Sequence, residues 1–125
     1  MKVNLSDGEW KLMDKLWAGT PMTITQLTAA VKPGTGWEKH TVITMLSRLE
    51  AKGAVRHNGG TPKQFFPTLP RQDAQRQEAE SFLHKVYGGR LGLMMSAMVD
   101  AQALTQSDID ELSAILEKAK GGEAT

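Results

Sequence analysis

A chain of 125 residues, 40% hydrophobic and 23% charged, suits one globular domain or a small domain with an appendage, and excludes wholesale disorder. The absence of cysteine excludes disulfides, thiolate metal sites and a cysteine nucleophile. The net charge of +1 hides an uneven spread: residues 32–63 hold six lysines and arginines against Glu38 and Glu50, while residues 100–125 hold six acids against Lys118 and Lys120. A basic middle and an acidic tail fit one surface made for a polyanion; chance clustering of solvated charges fits them equally well. The longest uncharged apolar stretch, Leu91 to Val99, is too short to span a bilayer, and "MKVNLSDGEW" has no signal-peptide core. The expectation is a cytoplasmic protein without membrane insertion.

Three helix starts are written in the same way. Ser6-Asp7-Gly8-Glu9 is a capping box with Leu5 and Trp10 as its hydrophobic staple. Thr23 and Gln26 repeat the box with Met22 and Leu27, and Thr105 with Asp108 resembles it between Leu104 and Ile109. Helices are therefore expected to begin near residues 7, 24 and 106. The first runs to about Ala18 and turns Trp10, Met13, Leu16 and Trp17 inward; the second is short and ends by Lys32-Pro33-Gly34. A third covers about residues 38–52 and stops at Gly53. The period then changes, and "AVRHN", "GGTPK" and "QFFPTL" read as strand, turn and strand.

After Pro67 and Pro70 the composition shifts. "RQDAQRQEAESFLHKVYGG" is a long polar helix broken at Gly88-Gly89, "RLGLMMSAMVDA" a methionine-rich helix, and "QSDIDELSAILEKAK" an amphipathic one, followed by a fraying "GGEAT". The fold expected is mainly α with a small two-stranded wing: a winged helix-turn-helix domain over residues 1–70 and a helical domain over 71–125. The later helices are too few and too thinly apolar for a core of their own, which points to a homodimer through residues 71–125. Leu93, Met94, Met98, Leu112 and Leu116 are the interface candidates, although the methionines also suit an intrachain core.

The stretch "GWEKHTVITMLSRLEAKGAV" carries the functional signal. On a helical wheel Val42, Leu46, Leu49 and Gly53 form a buried stripe, and His40, Thr44, Ser47 and Ala51 face away from it, flanked by Thr41, Ile43 and Arg48. A small, polar, acid-free face is what approach to a DNA groove requires. Thr41 and Thr44 offer hydroxyls and methyls, His40 a ring nitrogen, Ser47 a hydroxyl, and Lys39 and Arg48 charge for phosphates. Arg56 and Lys63 bracket the Gly59-Gly60 tip of the wing. Double-stranded DNA is the expected partner; a solvated helix face and an ordinary hairpin turn are the bland alternatives. A winged-helix module that binds another protein is the second functional reading.

Enzyme chemistry has little to stand on. His40, His57 and His84 are widely separated without HxxxH spacing, so no metal is expected. No serine sits in a GxSxG setting, no glycine run forms GxxxxGK[ST], and Asp108, Asp110 and Glu111 fit the first turn of a helix. No catalytic residue and no cofactor is expected.

From "LSDGEWKLMDKLW" to "LTQSDIDELSAIL" the chain resembles the BlaI/MecI penicillinase-repressor family, whose relatives include copper-responsive repressors. The resemblance rests on Glu9-Trp10 with Leu16-Trp17, on Trp37, Thr41-Val42, Thr44, Leu46, Arg48-Leu49 and Lys52-Gly53, and on Phe65, Pro67, "SFLHKVYGG" and Leu104 with Leu112. It implies a homodimeric winged-helix repressor on an inverted-repeat operator, with His40, Thr41 and Thr44 facing the major groove. Two departures bear on base preference: His40 replaces a frequent Lys or Arg, and Ile43 stands where a basic residue can occur. In the penicillinase branch repression is relieved by cleavage at an Asn-Phe bond, whose counterpart here is Ala97-Met98, and the copper-type cysteines are missing. The resemblance therefore leaves a protease of different specificity, or a small ligand among the methionine-rich helices, as the expected regulator.

Overall fold

The computed structural model describes residues 3–123, which form six helices and one three-stranded sheet. The order is α1 (Asp7–Ala18), β1 (Met22–Thr23), α2 (Ile24–Thr35), α3 (Lys39–Ala51), β2 (Val55–His57), β3 (Gln64–Pro67), α4 (Arg71–Tyr87), α5 (Leu91–Asp100) and α6 (Gln106–Glu123). All three capping signals close reciprocally. Ser6 and Glu9 exchange both bonds, as do Thr23 and Gln26, and Thr105 N–H donates to Asp108 Oδ2 while Asp108 N–H donates to Thr105 Oγ1, both at 3.0 Å. Each box satisfies backbone donors that a helix start leaves unpaired, so local sequence alone sets these boundaries.

The core of the first unit is built from one stripe of each helix. Leu12, Met13 and Leu16 of α1, Leu27 and Val31 of α2, and Val42, Leu46 and Leu49 of α3 are buried together with Val55, Phe65 and Leu69. Trp10 and Trp17 stand half-buried at its margin, edge to face, with ring centroids 5.5 Å apart. Residue 53 ends α3 as expected. Gly53 takes φ 81°, its N–H bonds to Glu50 O, and Ala54 N–H bonds to Leu49 O, a left-handed closure that favours glycine.

Three expectations are corrected. The second helix does not end by Gly34 but runs to Thr35, with Pro33 inside its last turn. Proline removes the bond to Ala29 O, but Ala29 is exposed, so water can serve that carbonyl, and Gly36 at φ 71° closes the helix instead. The sheet has a third strand: β1 pairs antiparallel with β3, Met22 opposite Phe65 and Thr23 opposite Gln64, giving the order β1-β3-β2. α6 continues through Gly121 to Glu123; of the expected fraying tail, residues 124 and 125 lie outside the described residues.

By contact the chain divides after Ala79. The start of α4 belongs to the first unit because its side chains are tied there. Ala74 is buried in the core, Gln77 Oε1 accepts from Val3 N–H at 2.8 Å, and the Arg71 guanidinium lies 5.3 Å from the Trp17 ring centroid. The second unit, residues 80–125, contains the end of α4 with α5 and α6. Among its described residues none is buried, and Leu91, Val99, Ile115 and Leu116 are all more than half exposed.

Candidate nucleic-acid interface

The seat of α3 is prepared by small and buried groups elsewhere. A Cβ on Gly8 would lie 2.8 Å from Met45 Cε and 3.2 Å from the Trp37 ring, so glycine in α1 leaves room for Met45 in the middle of α3 and for Trp37 ahead of it. At the other end Lys52 Nζ donates to Glu9 Oε1 at 2.6 Å and to Asn4 O at 2.7 Å. Glu9 is 2% exposed, and its Oε1 also accepts from Ser6 N–H at 2.7 Å. Burial pushes the Glu9 carboxyl up, but the Lys52 ammonium and the Ser6 donors outweigh it and hold the group below the usual carboxylate range. An ionised pair thus pins the amino-terminal segment, α1 and the end of α3 together.

With Val42, Leu46 and Leu49 turned inward, the opposite face of α3 is left to solvent. His40, Thr44, Ser47 and Arg48 are exposed, Ile43 is 41% exposed and Thr41 is half-buried. Thr44 Oγ1 donates to His40 O at 3.0 Å, so its proton is committed within the helix, and its methyl and oxygen lone pairs remain for a partner. Glu38 at the start of α3 makes no capping bond and pairs instead with Lys32 at 3.3 Å. The positive end of the helix therefore faces outward beside Lys39.

The wing completes this surface unevenly. Lys63 and Pro62 close with Lys39, Thr23 and Thr25 around an open cleft of about 330 Å³. Lys63 also borders a smaller groove of about 120 Å³ that Ile43, Ser47, Glu50 and His57 line. Lys39, Ile43, Ser47 and Lys63 are thus brought together. Arg56 is not: it lines a separate cleft with Gly53, Val55 and Thr68, bordered again by Glu50 and His57. The alternation along β2 explains the separation, since Val55 is buried, Arg56 exposed and His57 half-buried.

Sequence reasoning missed four neighbours of the basic residues. Thr23 and Thr25 flank Lys39 only because β1 pairs with β3, a contact with no local signature. Glu50 and His57 meet across the groove, with Nε2 3.5 Å from Oε2. The alternation Val55-Arg56-His57 signals that His57 turns towards the helix layer, although nothing local names Glu50 as its partner. In the second unit Leu93, Met98 and Leu116 are exposed, whereas Met94 and Leu112 are half-buried. Among the described residues no cluster of three metal-ligating side chains could hold an ion, and no helix is long and apolar enough to cross a membrane.

The model of the family described as penicillinase repressor matches residues 5–118. The chain belongs to the penicillinase repressor family. It is similar to the penicillinase repressor of Bacillus licheniformis, with 29% identity over 117 residues, 93% of this chain and 91% of that one. It is also similar to the methicillin resistance regulatory protein MecI of Staphylococcus aureus (strain N315), 25% identical over 115 residues that cover 91% of this chain and 94% of the relative. Among solved structures, the solution structure of the DNA-binding domain of the repressor BlaI aligns with a TM-score of 0.51 and 28% identity, covering 58% of this chain and 93% of that domain. This repressor is a DNA-binding transcriptional regulator and not an enzyme, and its fold is the winged helix expected from the order of its elements.

Proposed function

We propose that the repressor works as a cytoplasmic homodimer on an inverted-repeat operator, one α3 entering the major groove of each half-site. The convergence of Lys39 and Lys63 beside the exposed, hydroxyl-bearing outer face of α3 carries this reading. Thr41, Thr44, Ser47 and His40 meet base edges, Ile43 offers apolar contact to thymine methyls, and Lys39, Arg48 and Lys63 meet phosphates. Arg56, in its own cleft, reaches the backbone further along the duplex. For the dimer, the support is the apolar surface of α5 and α6. Leu91 is 55% and Leu116 61% exposed, a surface that a soluble monomer rarely leaves uncovered. Leu93, Met94, Met98, Leu112 and Leu116 join the two copies.

Sedimentation of the full chain, alone and with a duplex carrying the inverted repeat nearest its own promoter, tests this assembly. Two chains per duplex and a dimer in free solution are expected; a monomer that saturates the duplex one chain at a time would contradict it. Relief of repression, in the same proposal, does not use an Asn-Phe bond, because Ala97-Met98 occupies that place on α5. A protease of other specificity, or a small ligand among Met94, Met95 and Met98, removes the dimer and with it the second half-site contact. Immunoblotting of β-lactam-treated cells should show the intact chain, and a fragment ending at Ala97 would refute this.

A further inference from the structure

The wing tip, between β2 and β3, begins with Asn58-Gly59-Gly60. An asparagine followed by glycine is the pair least hindered for attack of the next backbone nitrogen on the side-chain amide. Here three sets of contacts converge on that reaction. Gly59 N–H donates to His57 Nδ1 at 3.0 Å, so the proton that must leave the nucleophile already points at a base. Asn58 Oδ1 accepts from Gly60 N–H at 2.9 Å and from Gln64 N–H at 3.1 Å, two donors on the oxygen where charge develops. Asn58 Nδ2, the leaving group, is held by Gln64 Oε1 at 3.2 Å. The other imidazole nitrogen faces Glu50 Oε2 at 3.5 Å, an orienter for the base.

We propose that Asn58 is a self-modification site, at which the Gly59 nitrogen closes on the Asn58 amide with His57 as base, converting the asparagine to aspartate or isoaspartate. The Gly59 N–H proton passes to His57 Nδ1 as the N–Cγ bond forms and the carbonyl electron pair moves onto Oδ1. Collapse of this intermediate expels Nδ2 as ammonia, which takes the proton from the imidazolium and leaves a succinimide. Water, which reaches the exposed tip, opens the ring at one of its two carbonyls. One opening gives aspartate at position 58; the other routes the backbone through the side chain and adds a methylene to the tip. Ammonia leaves and water enters, so no oxidant or other co-reactant is required.

Either product puts a carboxylate on the wing that carries Lys63. This consequence rests on the DNA reading above; the reaction itself does not. A dimer would gain two such charges facing phosphate, so operator affinity should fall severalfold as the protein ages. Each repressor molecule would then carry a clock on its own occupancy.

The test is to hold the full-length protein at neutral pH and physiological temperature and follow both asparagines by peptide mass mapping, with enzymatic isoaspartyl methylation as the second readout. Asn4, followed by Leu5, is the internal control, since Asn4 and Asn58 are the asparagines of the chain. Asn58 should convert well ahead of Asn4. His57→Gln should slow it severalfold in the folded protein, and the two proteins should react alike when unfolded in guanidinium. An Asn58 amide that outlasts Asn4, or a folded His57→Gln protein that converts as fast as the wild type, would overturn the proposal. Unchanged operator affinity after full conversion would overturn the clock. Fresh protein that binds no DNA would instead fail the DNA reading, and the mass readout would still decide the chemistry.

Discussion

At the scale of single residues the Glu9–Lys52 pair decides how firmly α3 is held. Its two partners are unequal: the Glu9 side chain is 2% exposed and that of Lys52 38%. Removing Lys52 strands a buried carboxylate, whereas removing Glu9 leaves an ammonium that can turn to water. Lys52→Met should therefore destabilise by roughly 3 kcal/mol, the lower end for a broken buried pair because Lys52 is partly solvated, and Glu9→Gln by less. Urea unfolding of both variants checks the order. The pair also has a pH signature. The Glu9 carboxyl lies below its ordinary range when folded, so its contribution is whole above that range and is lost as pH falls through the lowered value. The stability difference between wild type and Glu9→Gln should accordingly shrink in acid.

In the proposed interface Thr44 is placed to read a base. Because its hydroxyl proton is spent on His40 O, the side chain has a methyl and an acceptor left for a partner. Thr44→Ala should cost roughly 1–3 kcal/mol on the operator and almost nothing on random DNA, measured by competition binding. An equal loss on both would make Thr44 a contact that positions the protein without reading sequence.

At the scale of elements, the start of α4 is a strut of the winged domain. Ala74 fills the core, Gln77 holds Val3, and Arg71 lies against Trp17. A chain ending at Ala79 should fold cooperatively by circular dichroism and thermal melting, whereas one ending at Pro70 should melt well below it. Equal melting would remove α4 from the domain. The same element shows where sequence reading stops. Capping boxes, the buried stripe of α3 and the Gly53 stop are local and were legible in Ser6 with Glu9, Thr23 with Gln26, and Val42 with Leu46 and Leu49. Ala74 carries no such mark, since one alanine in a polar helix becomes core only through what packs over it. β1 was hidden for a similar reason: two residues form a strand there because Phe65 and Gln64 come alongside. The outer face of α3 could be listed from the helical wheel, but its meeting with Lys63 and its separation from Arg56 depend on where the wing folds back.

At the scale of the whole molecule two surfaces of different chemistry divide the work: a basic, hydroxyl-rich face on the winged unit and an apolar one on α5 and α6. In the proposed assembly the first would bind through phosphates, so its strength should depend on salt; the second would join copies through burial, which salt weakens little. If the dimer neutralises roughly six phosphates through Lys39, Arg48 and Lys63 of each subunit, the plot of log K against log salt should be linear with a slope near −5. Measuring that slope for the wild type and for Lys63→Gln is the most direct trial of the DNA interface. A steep wild-type slope is expected, with the variant shallower by about two, one phosphate contact from each subunit. A wild-type complex indifferent to salt, or a variant with an unchanged slope, would contradict it.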